Sequence, residues 1–519
     1  MKKFSHSPRV VLPRTALRRV RGSKSMSRFS TIVSLIVSLG VAACGTLTRT
    51  TWTQPEISIP QHWQAESVAA GRTSASVSIG PSCNRTDVPG LSRSSPADTE
   101  ANPGGDTDID PWWCAFGDPE LDRLVERALA GNHDLKTAVV NLRAAQFAVD
   151  LARANQLPVV SLSASTSNSR SLHGAHLVSH ANSLFASASY VVDLWGSLAS
   201  SADASRWEEQ ATEQDERTVK MTVASLVADD YWLLALLAEQ IQQSDASIRY
   251  GEQTLALTNV RYASGAITAV DLLAARQSLA SQRASRYALL LQQKQTENAL
   301  AVLLGQPPGE VFAVPSARLT TPLPAVAPGV PASVLVRRPD VKAAELRTRS
   351  TLATVDATRT SFYPNLTLTG SAGTTSDALR NLLQNPLGTI AADVAAPFLN
   401  VWTMKAQVGS AQTAYDAAAL AFAKTFYQAL ADVENALAAR DDDQAEIGQL
   451  VEALRAAQQS ELRIAWQYRA GAIPVQTWLD AQQATRTADA ELASARYATL
   501  ANQVALYVAL GGRESLGSP

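Results

Sequence analysis

The chain has 519 residues, 45 of them basic and 47 acidic, for a net charge of −2, and 46% are hydrophobic. That length exceeds one ordinary core and asks for two or three units or an elongated body. With 26 Gly and 24 Pro the chain is not disordered throughout, and the near-neutral balance excludes a strongly basic nucleic-acid binder.

Residues 1–43 read as an export signal. Nine Lys or Arg and no acid precede an apolar run from Phe29 to Ala43, the layout of a basic n-region and a short h-region. The run is too short to stay in a bilayer as a resident helix. Met26 offers a second start, with Met26-Ser27-Arg28 as a compact n-region. Val41-Ala42-Ala43-Cys44 resembles a bacterial lipobox, which implies that Cys44 becomes the acylated N-terminus. Gly45 in place of Asp implies sorting to the outer membrane. Without residues 1–43 the chain carries 36 basic and 47 acidic residues, a net charge of −11. Cys83 and Cys114 are the other cysteines, open to pairing in an oxidising periplasm.

Residues 44–111 read as a lipidated tether, with a Ser-, Thr-, Pro- and Gly-rich flexible insertion at 66–108. Asp118-Pro119-Glu120 starts a helix, and its apolar period continues to about Asn155. The period then changes to two. Val160, Leu162, Ala164 and Thr166 alternate with serines, and Leu184, Ala186, Ala188, Tyr190 and Val192 share one face of a second run. These predict strands over about 158–167 and 184–195, each long enough to cross a bilayer when tilted. Helices follow over about 197–304, the first roughly 100 Å long, with a turn at Gly265.

A shift of 206 residues then repeats the text. Pro158 aligns with Pro364, and Tyr262, Gly265, Ala266 and Ile267 with Tyr468, Gly471, Ala472 and Ile473. The first repeat spans 112–305, a linker 306–330, the second repeat 331–511, and a tail 512–519. Strands in the second repeat are predicted over about 364–373 and 389–399, and helices over about 402–510.

Four strands with one apolar and one hydroxyl-rich face suit a membrane barrel. They cannot close a channel alone, and an open edge is not tolerated in hydrocarbon. Copies of the chain must complete the wall, while the long helices stand in the periplasm. The predicted fold is therefore a mixed membrane β-barrel and long α-helical barrel, built from two repeats and closed by oligomerisation. Trp195 and Trp402 just after strands, and Tyr363 just before one, fit membrane-interface aromatics, with core packing the alternative at each.

Trp112-Trp113-Cys114-Ala115-Phe116-Gly117-Asp118-Pro119, Asp193-Leu194-Trp195-Gly196, Arg337-Arg338-Pro339-Asp340, Phe362-Tyr363-Pro364 and two Tyr-x-x-Gly turns resemble the signatures of the TolC-like outer-membrane efflux proteins, in particular the NodT-type lipoproteins. The resemblance covers about 112–511. It implies a homotrimer with one twelve-stranded barrel, docked to a periplasmic adaptor and an inner-membrane pump of the resistance-nodulation-division type. It implies a passive duct for small molecules, with no enzymatic activity and no cofactor beyond the acyl lipid on Cys44. Related ducts narrow at the periplasmic tip. Gly265 and Gly471 would mark that tip, with Asp480 and Asp271 as gate carboxylates. Thr477 stands where the family has a second acid, which weakens an acidic ring.

His173, His176 and His180 fall between the first two strands, where a metal site competes with an ordinary exposed loop. Glu345 and Arg347 are charged positions open to ion pairs between subunits and are assigned no role, and Asp441-Asp442-Asp443 reads as a solvated face or a helix irregularity. A type I protein-secretion duct is the nearest rival, and a structural coiled-coil lipoprotein is a rival of another class. The four alternating strands argue against the latter.

Overall fold

The computed structural model describes residues 48–53, 63, 111–170, 178–309, 312, 319, 323–324, 338–377, 383–384 and 386–512. The signal segment, Cys44, Cys83, the insertion 66–108, His173, His176, Arg337 and the tail beyond Gly512 lie outside the described residues.

A 3-10 turn, Trp112–Phe116, leads into α1 (Pro119–Gly131) and α2 (His133–Ala154). Strands β1 (Val159–Arg170) and β2 (Val178–Val192) come next, followed by α3 (Ser197–Ala263) and α4 (Ala269–Leu303). The second half runs α5 (Pro339–Ser361), β3 (Asn365–Ser376), β4 (Pro386–Ala395), α6 (Val401–Arg469) and α7 (Val475–Ala509).

The single helix expected from Asp118 to about Asn155 is two. Its start is as the residues dictate: the Asp118 carboxylate accepts from Glu120 N at 3.0 Å, with Pro119 in the first turn. The break falls at Asn132, whose carboxamide accepts from Leu135 N at 2.9 Å to cap α2 and donates to Leu303 O at 2.9 Å. Gly131 allows the crossing, because a Cβ there would overlap the Leu304 carbonyl.

Two units are distinct. One holds 158–197 and 359–400 with the chain ending at Thr50, and contains the sheet. Its order is β1-β2-β3-β4, antiparallel throughout. β2 begins six residues earlier than the alternation predicts, because Val178–Ser183 offers no apolar period to read. β4 ends at Ala395, and Pro397–Leu399 turns as a short 3-10 segment rather than continuing the strand. In this unit the tether is held down: Thr48 Oγ1 donates to Trp195 O at 2.8 Å, and Arg359 donates to Thr48 O at 2.7 Å.

The other unit carries the helices. Its largest cluster is aromatic. Trp112 stacks on Tyr507 at 5.6 Å, Phe116 lies 5.8 Å from Trp232, and Tyr231 and Trp232 are almost wholly buried. Each buried side chain of this size contributes about 1.5–3 kcal/mol. Tyr231 Oη donates to Asp118 Oδ2 at 2.5 Å, so the carboxylate that starts α1 also ties it to α3. By length and composition α3 could cross a membrane, yet Val223, Val227, Tyr231 and Trp232 of that helix are buried in this cluster. Trp63, inside the expected tether, is 3% exposed and packs with Val341, Phe422 and Phe426. Arg349 lies 4.3 Å over the Trp52 ring. The described part of the tether is thus packed strap, not free linker.

Candidate functional site: an amphipathic sheet and two hairpin tips

Register decides what the sheet can do. Leu162 pairs with Ala186, which pairs with Ala372; Tyr190 pairs with Leu368, which pairs with Ala392. The intervening rows join Ser161 to Ser187, Ser187 to Ser371, and Ser371 to Thr389. Most apolar residues of the four strands therefore share one face and most hydroxyls the other, with Phe185 and Leu387 among the exceptions on the hydroxyl face. Ser161 and Ser187 hydroxyls meet at 2.8 Å, Ser165 and Ser183 at 2.7 Å. In the two central strands Ala186, Ala188, Leu368 and Ala372 are exposed, whereas Ser187, Ser189, Thr369 and Ser371 are half-buried. The apolar band on β2 runs from Leu184 to Val192, the nine residues that a tilted transmembrane strand needs.

The three aromatics divide. Trp195 donates its indole N–H to Pro364 O at 2.7 Å and meets Tyr363 edge-on at 5.4 Å, so these two form a joint between the end of β2 and the start of β3. Trp402 is 86% exposed, with Lys405 Nζ 6.0 Å from its ring centre.

At the first hairpin tip Gly265 has φ +71°. Its N–H donates to Tyr262 O at 3.0 Å and that of Ala266 to Arg261 O at 2.9 Å, the paired bonds of a Schellman ending. Gly471, φ +77°, repeats this with Gly471 N to Tyr468 O and Ala472 N to Gln467 O, both 3.0 Å. The restarts differ. Thr268 and Asp271 form a reciprocal capping box, Thr268 N donating to Asp271 Oδ2 at 3.0 Å. Pro474 starts α7 with no side-chain cap. Asp271 is thus engaged in starting α4. Asp480 is exposed, accepts from Gln476 Nε2 at 2.7 Å, and lines a groove of about 1280 Å³ with Gln277, Gln483 and Arg486. Ala274 holds the place of Asp480 in the first repeat.

Sequence reasoning missed Arg261. Its guanidinium donates to Tyr468 O at 2.8 Å and Arg469 O at 2.7 Å, capping α6 from the other hairpin. A basic residue in a helix's last turn was the available signal. It also missed Asp229 and Asp230, whose carboxyls burial pushes up to about 6, the charge of Asp230 adding to the effect at Asp229. Arg338 of the Arg-Arg-Pro-Asp segment donates to Asp340 at 2.8 Å, Asp432 at 3.2 Å and Ala509 O at 3.4 Å. Burial works against its charge, and the bonds and charges of Asp340 and Asp432 outweigh that.

Glu345 and Arg347 find partners within the chain: Arg349 and Lys342 reach Glu345, and Arg347 pairs with Asp215 and Glu208. These pairs join α5 to itself and to α3. α6 runs unbroken through Asp441–Asp443. Among the described residues no three His, Cys, Asp or Glu are placed to hold a metal. His180, of the three loop histidines, pairs with Asn168 in the β1–β2 ladder.

A two-repeat chain of long hairpin helices with an amphipathic sheet is the design of an outer-membrane export channel. The chain belongs to the outer membrane efflux protein family, whose model matches residues 124–306 and 330–512. It is 33% identical over 426 residues to the pyoverdine export outer membrane protein OpmQ of Pseudomonas putida, covering 79% of this chain and 89% of that one. It is 27% identical over 407 residues to the cation efflux system protein CusC of Escherichia coli, covering 77% and 88%. Its fold is that of the CusC crystal structure, with a TM-score of 0.75 at 23% identity, over 90% of this chain and 99% of that one. The open-state MtrE channel of Neisseria gonorrhoeae gives 0.72 at 24% identity, over 89% and 98%. The protein is the outer-membrane channel component of an efflux system.

Proposed function

We propose that three copies close their sheets into one twelve-stranded barrel through the outer membrane, and their hairpins into a helical tunnel that spans the periplasm. The observation that carries this is the shared register: the rows that run across all four strands put most apolar residues on one face and most hydroxyls on the other. In lipid, the edges of β1 and β4 need partners, and sister copies supply them. Lipid then meets Leu162, Ala186, Leu368 and Ile390, and water meets the serines.

Cys44 carries the acyl anchor in this reading. Thr48 is fixed to Trp195 O, and four extended residues reach about 14 Å. The lipid and the end of β2 then meet the same leaflet, where the Trp195–Tyr363 joint sits at the interface; Trp402, exposed on its own helix, is read as a further interfacial aromatic. The tips at Gly265 and Gly471 face a periplasmic adaptor and an inner-membrane pump, which supplies the energy. Asp480 is the gate carboxylate, since Asp271 is held in its capping box. The duct itself is passive and passes small molecules.

The test is the purified mature protein. Light scattering in detergent should give a mass of three chains, and planar bilayers should show ohmic steps. A single-chain particle that leaves vesicles sealed overturns the reading.

A further inference from the structure

We propose that Phe185 is a specificity-determining residue of the pore, an aromatic foothold on which planar aromatic solutes rest while crossing the outer membrane. The inference rests on the duct reading above, in which the hydroxyl face of the sheet lines the lumen.

The four strands carry two aromatic residues among the described residues, Tyr190 and Phe185. Tyr190 pairs with Leu368 on the apolar face. Phe185 falls in the other set of rows, where it pairs with Ser163 on one side and Gly373 on the other, and Gly373 pairs in turn with Leu387. The rows beside it are Ser161–Ser187–Ser371 and Ser165–Ser183–Thr375. A single ring therefore stands between two rows of hydroxyls.

Gly373 makes room for that ring. A Cβ at 373 would overlap Phe185 Cδ1 and Cγ, so the ring lies across β3 over the bare backbone and stays half-exposed. Laid on the wall in this way, it leaves the bore open. Leu387, 52% exposed, extends the apolar spot beyond Gly373. A hydroxyl wall offers hydrogen bonds to any polar solute and distinguishes little among them. An aromatic face adds a contact only for solutes with a π-system or an apolar plane. Its place beside Leu184, at the end of the apolar band nearest the β1–β2 loop, puts it late in the path. Each copy of the chain contributes one ring.

The experiment is single-channel recording of the mature, lipid-anchored protein in planar bilayers. Ethidium serves as a planar aromatic cation and spermidine as a cation without a ring. Phe185→Ala and Phe185→Leu should shorten ethidium block dwell times roughly fivefold, leave spermidine dwell times within error, and leave ohmic conductance near wild type. Phe185→Trp should keep or lengthen the ethidium dwell. Leu retains most of the side-chain volume, so it reports even where Ala disturbs assembly. Equal ethidium dwell times in wild type and Phe185→Leu overturn the inference and leave the duct standing. Equal shortening for both probes overturns it too. A wild-type protein that does not conduct overturns the duct reading itself.

Discussion

Arg261 holds the last turn of a helix in the other repeat: it donates to the carbonyls of Tyr468 and Arg469, and its guanidinium lies 4.5 Å over the Tyr468 ring. Tyr468 in turn packs at 4.9 Å on Trp478. Arg261 therefore fixes where α6 ends and the second tip begins. Arg261→Ala leaves the Arg469 carbonyl to water, leaves the Tyr468 carbonyl with only the Gly471 N–H, and removes the stacking. Opening of the tip should become easier by about 1.4 kcal/mol, read as about tenfold faster hydrogen exchange at Gly471 and Ala472. The amides of Gly265 and Ala266, whose turn the Arg261 guanidinium does not cap, should change less. Arg261→Lys restores the charge but not the fork, and should fall between the two.

Tyr231 and Asp118 make a second cross-link, buried this time. Burial, with the hydrogen bond to Asp118 and its charge, pushes the Tyr231 phenol above its ordinary range. Tyr231→Phe keeps the ring and strands one carboxylate oxygen in the core, at a cost of about 1–3 kcal/mol. Asp118→Ala should cost more than Asp118→Asn, because it also removes the acceptor that caps α1. Thermal melts followed by circular dichroism at pH 7.5 give both comparisons. Equal melting points for wild type and Tyr231→Phe would show the bond to be idle.

Asp229 and Asp230 predict how stability follows pH. Their ordinary value is 3.8, and burial pushes both up to about 6. The folded chain holds these protons across a window in which the unfolded chain releases them. Their contribution is most favourable below about pH 3.8, is lost as pH rises through about 6, and stays lost above. The double variant Asp229→Asn, Asp230→Asn removes the dependence. Relative to wild type it should gain a few degrees in melting point at pH 7.5 and gain least at pH 4.5. A gain of equal size at both values would assign the effect to packing instead.

How much of this was legible in the sequence depended on the kind of signal. Ser161, Leu162 and Ser163 announced their faces, because a period of two survives in any strand whose two faces differ in polarity. Gly265 and Gly471 announced the tips, because only a residue tolerant of positive φ ends a helix in that way. Val178–Ser183 was silent: it lies past the apolar band, where neither face selects for hydrophobicity. The break at Asn132 was written in Gly131-Asn132, but the apolar period runs through it. The partners of Arg261, Asp118 and Tyr231 were unreadable for a different reason, although the last-turn place of Arg261 and the cap place of Asp118 were not. Their partners lie 207, 113 and 113 residues away, and nothing local encodes such a pairing. Nor could the repeat disclose that the two hairpins restart differently, with a capping box at Thr268 and Asp271 and no side-chain cap at Pro474.

Adjacent positions in β1 give the sharpest test of where lipid lies. Leu162 is 75% exposed on the apolar face, and Ser163, next in the chain, points the other way and pairs with Phe185. A charge facing hydrocarbon costs about 2–4 kcal/mol near the midplane and far less in a water-filled lumen. Leu162→Arg should therefore prevent insertion or leave a channel that melts early, whereas Ser163→Arg should insert and assemble. Heat-modifiable migration on gels and flotation with vesicles measure both. Ser163→Arg should further reduce cation conductance, since the new charge stands in the path of the current. If Leu162→Arg inserted as well as Ser163→Arg, the apolar face would not be the lipid face. If Ser163→Arg alone failed, the hydroxyl face would be the one that meets lipid, and the duct would have to be turned inside out.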